Sequence, residues 1–145
     1  MLKQQAHSYG IIPLYKTGDN WLVLLINQKD KQMTEYWTFP KGTPEAGELP
    51  LETAKRETAE EVGIDFNSVE PKPTFTDSYT FERDGALVEK SVTYYLGFTD
   101  SQSFTVQELE VATADWFTLA DAKEKLSFPT AKNILAKVAT HLNSI

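Results

Sequence analysis

Residues 41–64 read KGTPEAGELPLETAKRETAEEVGI, and the glutamates in this stretch restrict the fold more than any other feature of the chain. The spacing predicts a helix over Leu49–Val62, ended by Gly63, which can take a left-handed cap without a Cβ penalty. Leu51, Ala54, Thr58 and Val62 recur at three- and four-residue steps and form the stripe such a helix must bury. Glu57, Glu60 and Glu61 recur at the same steps on a different face. Like charges so placed destabilise a helix by roughly a few tenths of a kcal/mol per pair. Their position near the C-terminus, where the macrodipole is negative, adds to the cost. Taken alone, the run fits a solvated helix face. It also fits a cation site, because a divalent ion among the carboxylates reverses the sign of the interaction. Hard oxygen ligands suit Mg²⁺ or Mn²⁺, which keep several waters for phosphate oxygens to displace.

The remaining pattern predicts a mixed sheet with helices on its faces. His7–Tyr15 reads as a strand, with Pro13 indicating an edge or a bulge. Trp21–Asn27 is a compact apolar run suited to a buried strand, separated from the first by the turn KTGDN. Glu35–Phe39 is a short aromatic strand stopped by Pro40. Thr74–Glu82 and Leu87–Phe98 flank RDG as a hairpin. Ala114–Phe117 is a further short strand, and Thr118 with Asp121 three residues on caps a helix. A last helix starts near Pro129 and runs towards His141.

At 145 residues the expected organisation is one domain over 1–145, with no repeat or linker. A net charge of −7 argues against a broad footprint on duplex nucleic acid. An anionic substrate therefore needs a metal ion or a few well-placed Lys and Arg side chains. With no cysteine, disulfides and thiolate chemistry are excluded. The segment MLKQQAHSYG has no apolar signal core, and the longest apolar run, WLVLLI, is too short to span a bilayer. No membrane association, a cytoplasmic location and a monomer or homodimer are expected. His7 and His141 are not at metal-ligand spacing, and there is no GxxxxGK[ST] loop.

The segment also has Gly42, Glu48, Arg56-Glu57, Glu60-Glu61, Gly63 and Ile64 at fixed intervals. This arrangement resembles the Nudix box, the signature of the Nudix hydrolases. The seven fixed letters, Gly42 to Gly63 without Ile64, at roughly 1 in 15 each give a chance match on the order of 1 in 10⁸. The resemblance implies an α/β/α sandwich with a mixed central sheet and a loop–helix–loop metal site. Glu57, Glu60 and Glu61 match the family's metal ligands, and Gly42 the glycine whose carbonyl joins the metal shell. Glu48 and Arg56 match a pair that braces the loop against the helix, and Gly47 and Gly63 match turn glycines. Thr58 departs from the pattern, standing where the family has a bulky aliphatic. The implied reaction is metal-dependent hydrolysis of a nucleoside diphosphate linked to another group, with Mg²⁺ or Mn²⁺ as cofactor and Glu57 as the first choice of base. Glu110, six residues before Trp116, resembles an outer glutamate that meets the same metal cluster, and Glu108 competes for that role.

Short words outside the box resemble the asymmetrical diadenosine tetraphosphate hydrolases: HSYGIIPLY, WTFPKG, EKSVTYYLGF and ADWFTLADAKEKLSFPTAKNIL. That likeness implies a small nucleotide substrate split asymmetrically, diadenosine tetraphosphate to AMP and ATP. It implies stacking of a base on Tyr94 or Tyr95 and on Phe128. Alternation puts the two tyrosines on opposite sheet faces, and Tyr94 is the choice. Lys41 and Lys90 are the expected phosphate contacts. Thr43 stands where the group has a histidine after PKG. Other substrates remain open for the same box: NDP-sugars, nucleoside triphosphates or capped RNA ends. So does a non-catalytic nucleotide-sensing module, although such modules lose box glutamates that this chain retains.

Overall fold

The computed structural model describes residues 3–30, 32–107 and 111–145. Ten elements follow in chain order: β1 (Lys3–Thr17), β2 (Asn20–Lys29), β3 (Glu35–Thr38), β4 (Lys41–Gly42), α1 (Pro50–Val62), β5 (Ser68–Arg83), β6 (Ala86–Thr99), β7 (Val111–Thr118), α2 (Leu119–Lys125) and α3 (Pro129–Leu142). The strands form one seven-stranded sheet of order β3-β2-β1-β6-β5, with β4 on β1 and β7 on β2. β1 and β6 are parallel and every other pair is antiparallel, so the sheet is mixed as expected.

Period-two alternation distributes the apolar side chains between two cores. Ile12, Leu14, Val23, Leu25, Val92, Tyr94 and Leu96 pack against Ala122, Leu126, Ile134, Leu135 and Val138 of α2 and α3 or the turn between them. On the other face Ile11 and Tyr95 meet Ala54, and Leu24 and Ile26 meet Val62. The α/β/α sandwich follows from these two sets. Thr58 is fully buried within the α1 stripe, and its hydroxyl has no hydrogen-bond partner among the described residues.

One expectation is overturned. Pro13 is neither at an edge nor on a bulge; its strand is central, paired with β6 from Lys3 to Tyr15 without a shift of register. On its other side β1 pairs β4 at Tyr9–Gly10 and β2 from Leu14 onward. Pro13 falls in the interval between those two partners, so on that side no ladder bond requires its missing N–H. Among the described residues no helix is long and apolar enough to cross a membrane.

Candidate active site

The loop from Thr38 to Leu49 is drawn tightly onto the sheet. β4 lies beside Gly10, where a Cβ would collide with the Pro40 carbonyl oxygen. At Gly42 a Cβ would enter the Glu57 carboxylate, so this glycine is what lets the loop and the α1 acid meet. Leu49 precedes α1, and its N–H donates to the Glu52 carboxylate at 2.9 Å, half of a capping box. The Thr53 hydroxyl donates to Glu48 at 2.7 Å.

Arg56 organises the acids. Its Nε and Nη2 grip Glu48 at 2.7 and 2.9 Å, a two-point pairing, while Nη2 also donates to the Thr43 carbonyl at 3.0 Å. This holds the Glu48 carboxyl down to about 2, chiefly through the Arg56 bonds and then Thr53. Reciprocally, Glu48 raises the Arg56 pKa above its already high ordinary value. Nη1 donates to Glu57 at 2.9 Å and to Glu60 at 3.2 Å. The expected brace of Glu48 and Arg56 is therefore present and extends to two of the three box carboxylates.

Glu61 is directed elsewhere. It is 3% exposed, accepts from the Lys41 backbone N–H at 2.9 Å and from Gln28 Nε2 at 2.8 Å. Tyr36 donates its hydroxyl to Gln28 Oε1 at 3.0 Å, which fixes the amide's orientation. Among the described residues no three acidic or histidine side chains converge as a metal cage. Glu57 and Glu60 share one positive centre, the guanidinium, and Glu61 lies on the loop side. The donor chemistry nevertheless fits a hard cation. Three carboxylates stand within two helical turns, two of them already meet one charge, and Gly42 leaves Glu57 room against the loop.

Beside these acids opens a cleft of about 390 Å³, lined by Tyr36, Thr38, Lys41, Asp77, Tyr79, Tyr94 and Phe128 among others. Phe128 is 47% exposed and its ring centroid lies 5.5 Å from that of Tyr36. Tyr94 forms the floor, edge-on to Phe39 at 5.1 Å, and burial pushes its hydroxyl well up. Tyr95 is on the opposite face, against Ile11 and Ala54. Burial and then the Lys90 charge hold the Lys41 ammonium below its ordinary 10.5, partly offset by Glu61 and Glu57. Lys90 is likewise lowered, by burial and then by Arg83. It is not among the residues lining the cleft, although its charge reaches Lys41.

Glu108 and Glu110 lie outside the described residues. His7 pairs with Ser91 at 2.6 Å and His141 packs edge-on to Phe75, so neither faces the acids. Sequence reasoning missed Gln28, Tyr36, Asp77 and Tyr79. Asp77 and Tyr79 were within reach of it: the RDG hairpin pairs Phe75 with Tyr94 and Asp77 with Val92, so alternation sets Asp77 and Tyr79 on the face of Tyr94.

A mixed sheet between helical layers, with a loop–helix that gathers glutamates beside an aromatic cleft, defines the architectural class of the Nudix domains. The NUDIX domain family matches residues 5–138. The chain belongs to the Nudix family, a family of pyrophosphohydrolases whose members generally use divalent metal ions. It is 32% identical over 124 residues to a Mycobacterium tuberculosis protein named as the mutator protein MutT4, covering 86% of this chain and 49% of that protein. The chain thus spans about half of that relative's length. It is 28% identical over 120 residues to the asymmetrical bis(5'-nucleosyl)-tetraphosphatase of Sus scrofa, covering 81% of this chain and 79% of that enzyme. Its fold matches a binary complex of the C. elegans Ap4A hydrolase with a TM-score of 0.80 at 23% identity, over 97% and 99% of the two chains.

Proposed function

We propose that this Nudix pyrophosphohydrolase splits dinucleoside polyphosphates asymmetrically, with diadenosine tetraphosphate to AMP and ATP as the reference reaction. The observation that carries the reading is the adjacency of three parts: an aromatic wall, Lys41 in the same cleft, and the Glu61 carboxylate bonded to the Lys41 backbone N–H. A base lies against Phe128, with Tyr36 backing that ring, and stacking of this kind contributes ~1–3 kcal/mol per base. Lys41, and Lys90 behind it, take the phosphate oxygens. Binding an anion stabilises the charged form of each lysine, which burial disfavours in the free protein. The likeness to the Sus scrofa tetraphosphatase supports the choice of substrate.

Glu57, Glu60 and Glu61, with the Gly42 carbonyl, would hold Mg²⁺, or Mn²⁺ in its place, and Glu110 would complete the set. The ion supplies Lewis acidity against the phosphate oxygens and the attacking water. Glu57 takes the water's proton as the water oxygen bonds to phosphorus and the bridging P–O bond breaks, releasing ATP and leaving AMP. Glu48 acts through Arg56, holding the guanidinium against the loop so that the acids keep their places.

The experiment is a substrate panel with product identification. Diadenosine tetraphosphate should give AMP and ATP in the presence of Mg²⁺ or Mn²⁺, with turnover abolished by EDTA. Glu57→Gln should lower kcat by orders of magnitude with the fold intact. Two molecules of ADP as product would refute the asymmetric reading, and an active Glu57→Gln enzyme would refute the role of Glu57. Nucleotide binding without hydrolysis of any panel member would make the chain a sensing module.

A further inference from the structure

The aromatic wall explains why a base binds but not which base, because stacking tolerates every base. Discrimination must come from polar groups in the plane of the ring. Among the described residues that line the cleft, Asp77 is the one carboxylate. It stands on β5 opposite Val92, flanked on the same face by Phe75 and Tyr79. Its negative charge is felt at the hydroxyls of both Tyr79 and Tyr94. Among the described residues it has no hydrogen-bond or ion-pair partner, although it is only partly exposed. Of the two lysines assigned to phosphate, Lys41 lines the same cleft from the β4 strand, with its backbone N–H on Glu61, and Lys90 stands opposite Tyr79 on β6.

A carboxylate offers acceptors only. Guanine presents adjacent N1–H and N2–H donors on its pairing edge, which match the two oxygens of a carboxylate in a forked pair. Adenine presents one N–H beside the N1 lone pair, which faces a carboxylate oxygen repulsively. Uracil presents one N–H between two carbonyls. A site whose polar group is left unpaired by the wrong ligand discriminates strongly.

We propose that Asp77 selects the base and that this cleft prefers guanine to adenine and uracil. The proposal rests on the reading of the cleft as a nucleotide site and narrows it, from diadenosine tetraphosphate as the reference compound to dinucleoside polyphosphates that carry a guanine as the preferred ones. It concerns the base alone and does not depend on which phosphate bond is broken.

The test is calorimetric binding of GMP, IMP, AMP and UMP to the whole protein in Mg²⁺, wild type against Asp77→Asn. Monophosphates contain no pyrophosphate bond, so binding is read without turnover. Wild type should bind GMP at least tenfold more tightly than AMP or UMP. IMP, which keeps N1–H and loses the amine, should fall between. Asparagine can accept from the adenine amine and donate to N1, so Asp77→Asn should bind AMP at least as tightly as GMP. This inversion could not come from a purely structural role for Asp77. GMP and AMP bound equally by wild type, an unchanged ratio in Asp77→Asn, or no binding of any monophosphate would overturn the proposal. Guanine selectivity in a protein that cleaves no dinucleoside polyphosphate would uphold Asp77 and refute the hydrolytic reading. Asymmetric cleavage with no base preference would do the reverse.

Discussion

The Gln28 amide joins the two halves of the site, and its removal has a calculable effect. Gln28 is 9% exposed, accepts from the Tyr36 hydroxyl at 3.0 Å and donates to the Glu61 carboxylate at 2.8 Å. Gln28→Leu keeps most of the volume and deletes both bonds. The bond to the ionised Glu61 is worth roughly 1.5–3 kcal/mol and the neutral one roughly 0.5–1.5 kcal/mol. Glu61 keeps its bond from the Lys41 N–H, and leucine gains some apolar burial, so the net loss should be about 2–3 kcal/mol. For a chain of this size that lowers Tm by about 6–10 °C. Urea unfolding of wild type, Gln28→Leu, Tyr36→Phe and the double variant closes a cycle in which other contacts of Tyr36 cancel. A coupling of about 1 kcal/mol is expected. Freed from Gln28, Glu61 should hold its place less well, and the Mg²⁺ concentration for half-maximal activity should rise about 10–100-fold. A Gln28→Leu protein within about 0.5 kcal/mol of wild type, or with unchanged Mg²⁺ dependence, would refute this account.

Phe128→Ala removes a stacking surface worth ~1–3 kcal/mol, so KM should rise about 5–100-fold while kcat changes less; an unchanged KM on steady-state assay would return Phe128 to a packing role. Glu48→Gln should be less stable than wild type above pH 4.5, and the gap in Tm should close as pH falls towards 2. The sign follows because the Glu48 carboxyl is depressed in the folded chain, so its contribution is complete above the unfolded value and lost on titration through the folded one. A gap independent of pH, read by thermal melts across that range, would contradict the Arg56 brace. Thr58→Val replaces a fully buried, unpaired hydroxyl by a methyl of the same shape and should stabilise by about 1 kcal/mol, raising Tm by about 3 °C.

Local rules made much of the fold legible. The period of α1 named Ala54, Thr58 and Val62 as its buried side, and strand alternation separated Tyr94 from Tyr95 before any coordinates. Pro13 misled because its local meaning depends on where β1 exchanges β4 for β2, a fact of the sheet and not of the sequence window. The box glutamates were readable by spacing, yet the different situation of Glu61 was not. Its burial comes from Gln28, thirty-three positions away, and from the β4 loop. Gln28, Tyr36 and Asp77 were missed for one reason. Each gains its significance from a partner strand or a cleft wall, and none belongs to a motif.

The burial of Glu61 has a mechanistic consequence. A desolvated carboxylate bound to a backbone N–H and an oriented amide loses freedom on folding, so little remains to be lost when a cation or a phosphate arrives. Glu60, the most exposed of the three, is held among the described residues by Arg56 Nη1, which it shares with Glu57. The site is thus graded from a fixed inner acid beside Lys41 to an adjustable outer one. On the proposed reading, phosphate charge beside Lys41 would meet the fixed end first. The outer acids would then hold the metal and the aromatic cleft the base, and Phe128, Tyr36 and Tyr94 of that cleft make none of the Arg56 bonds.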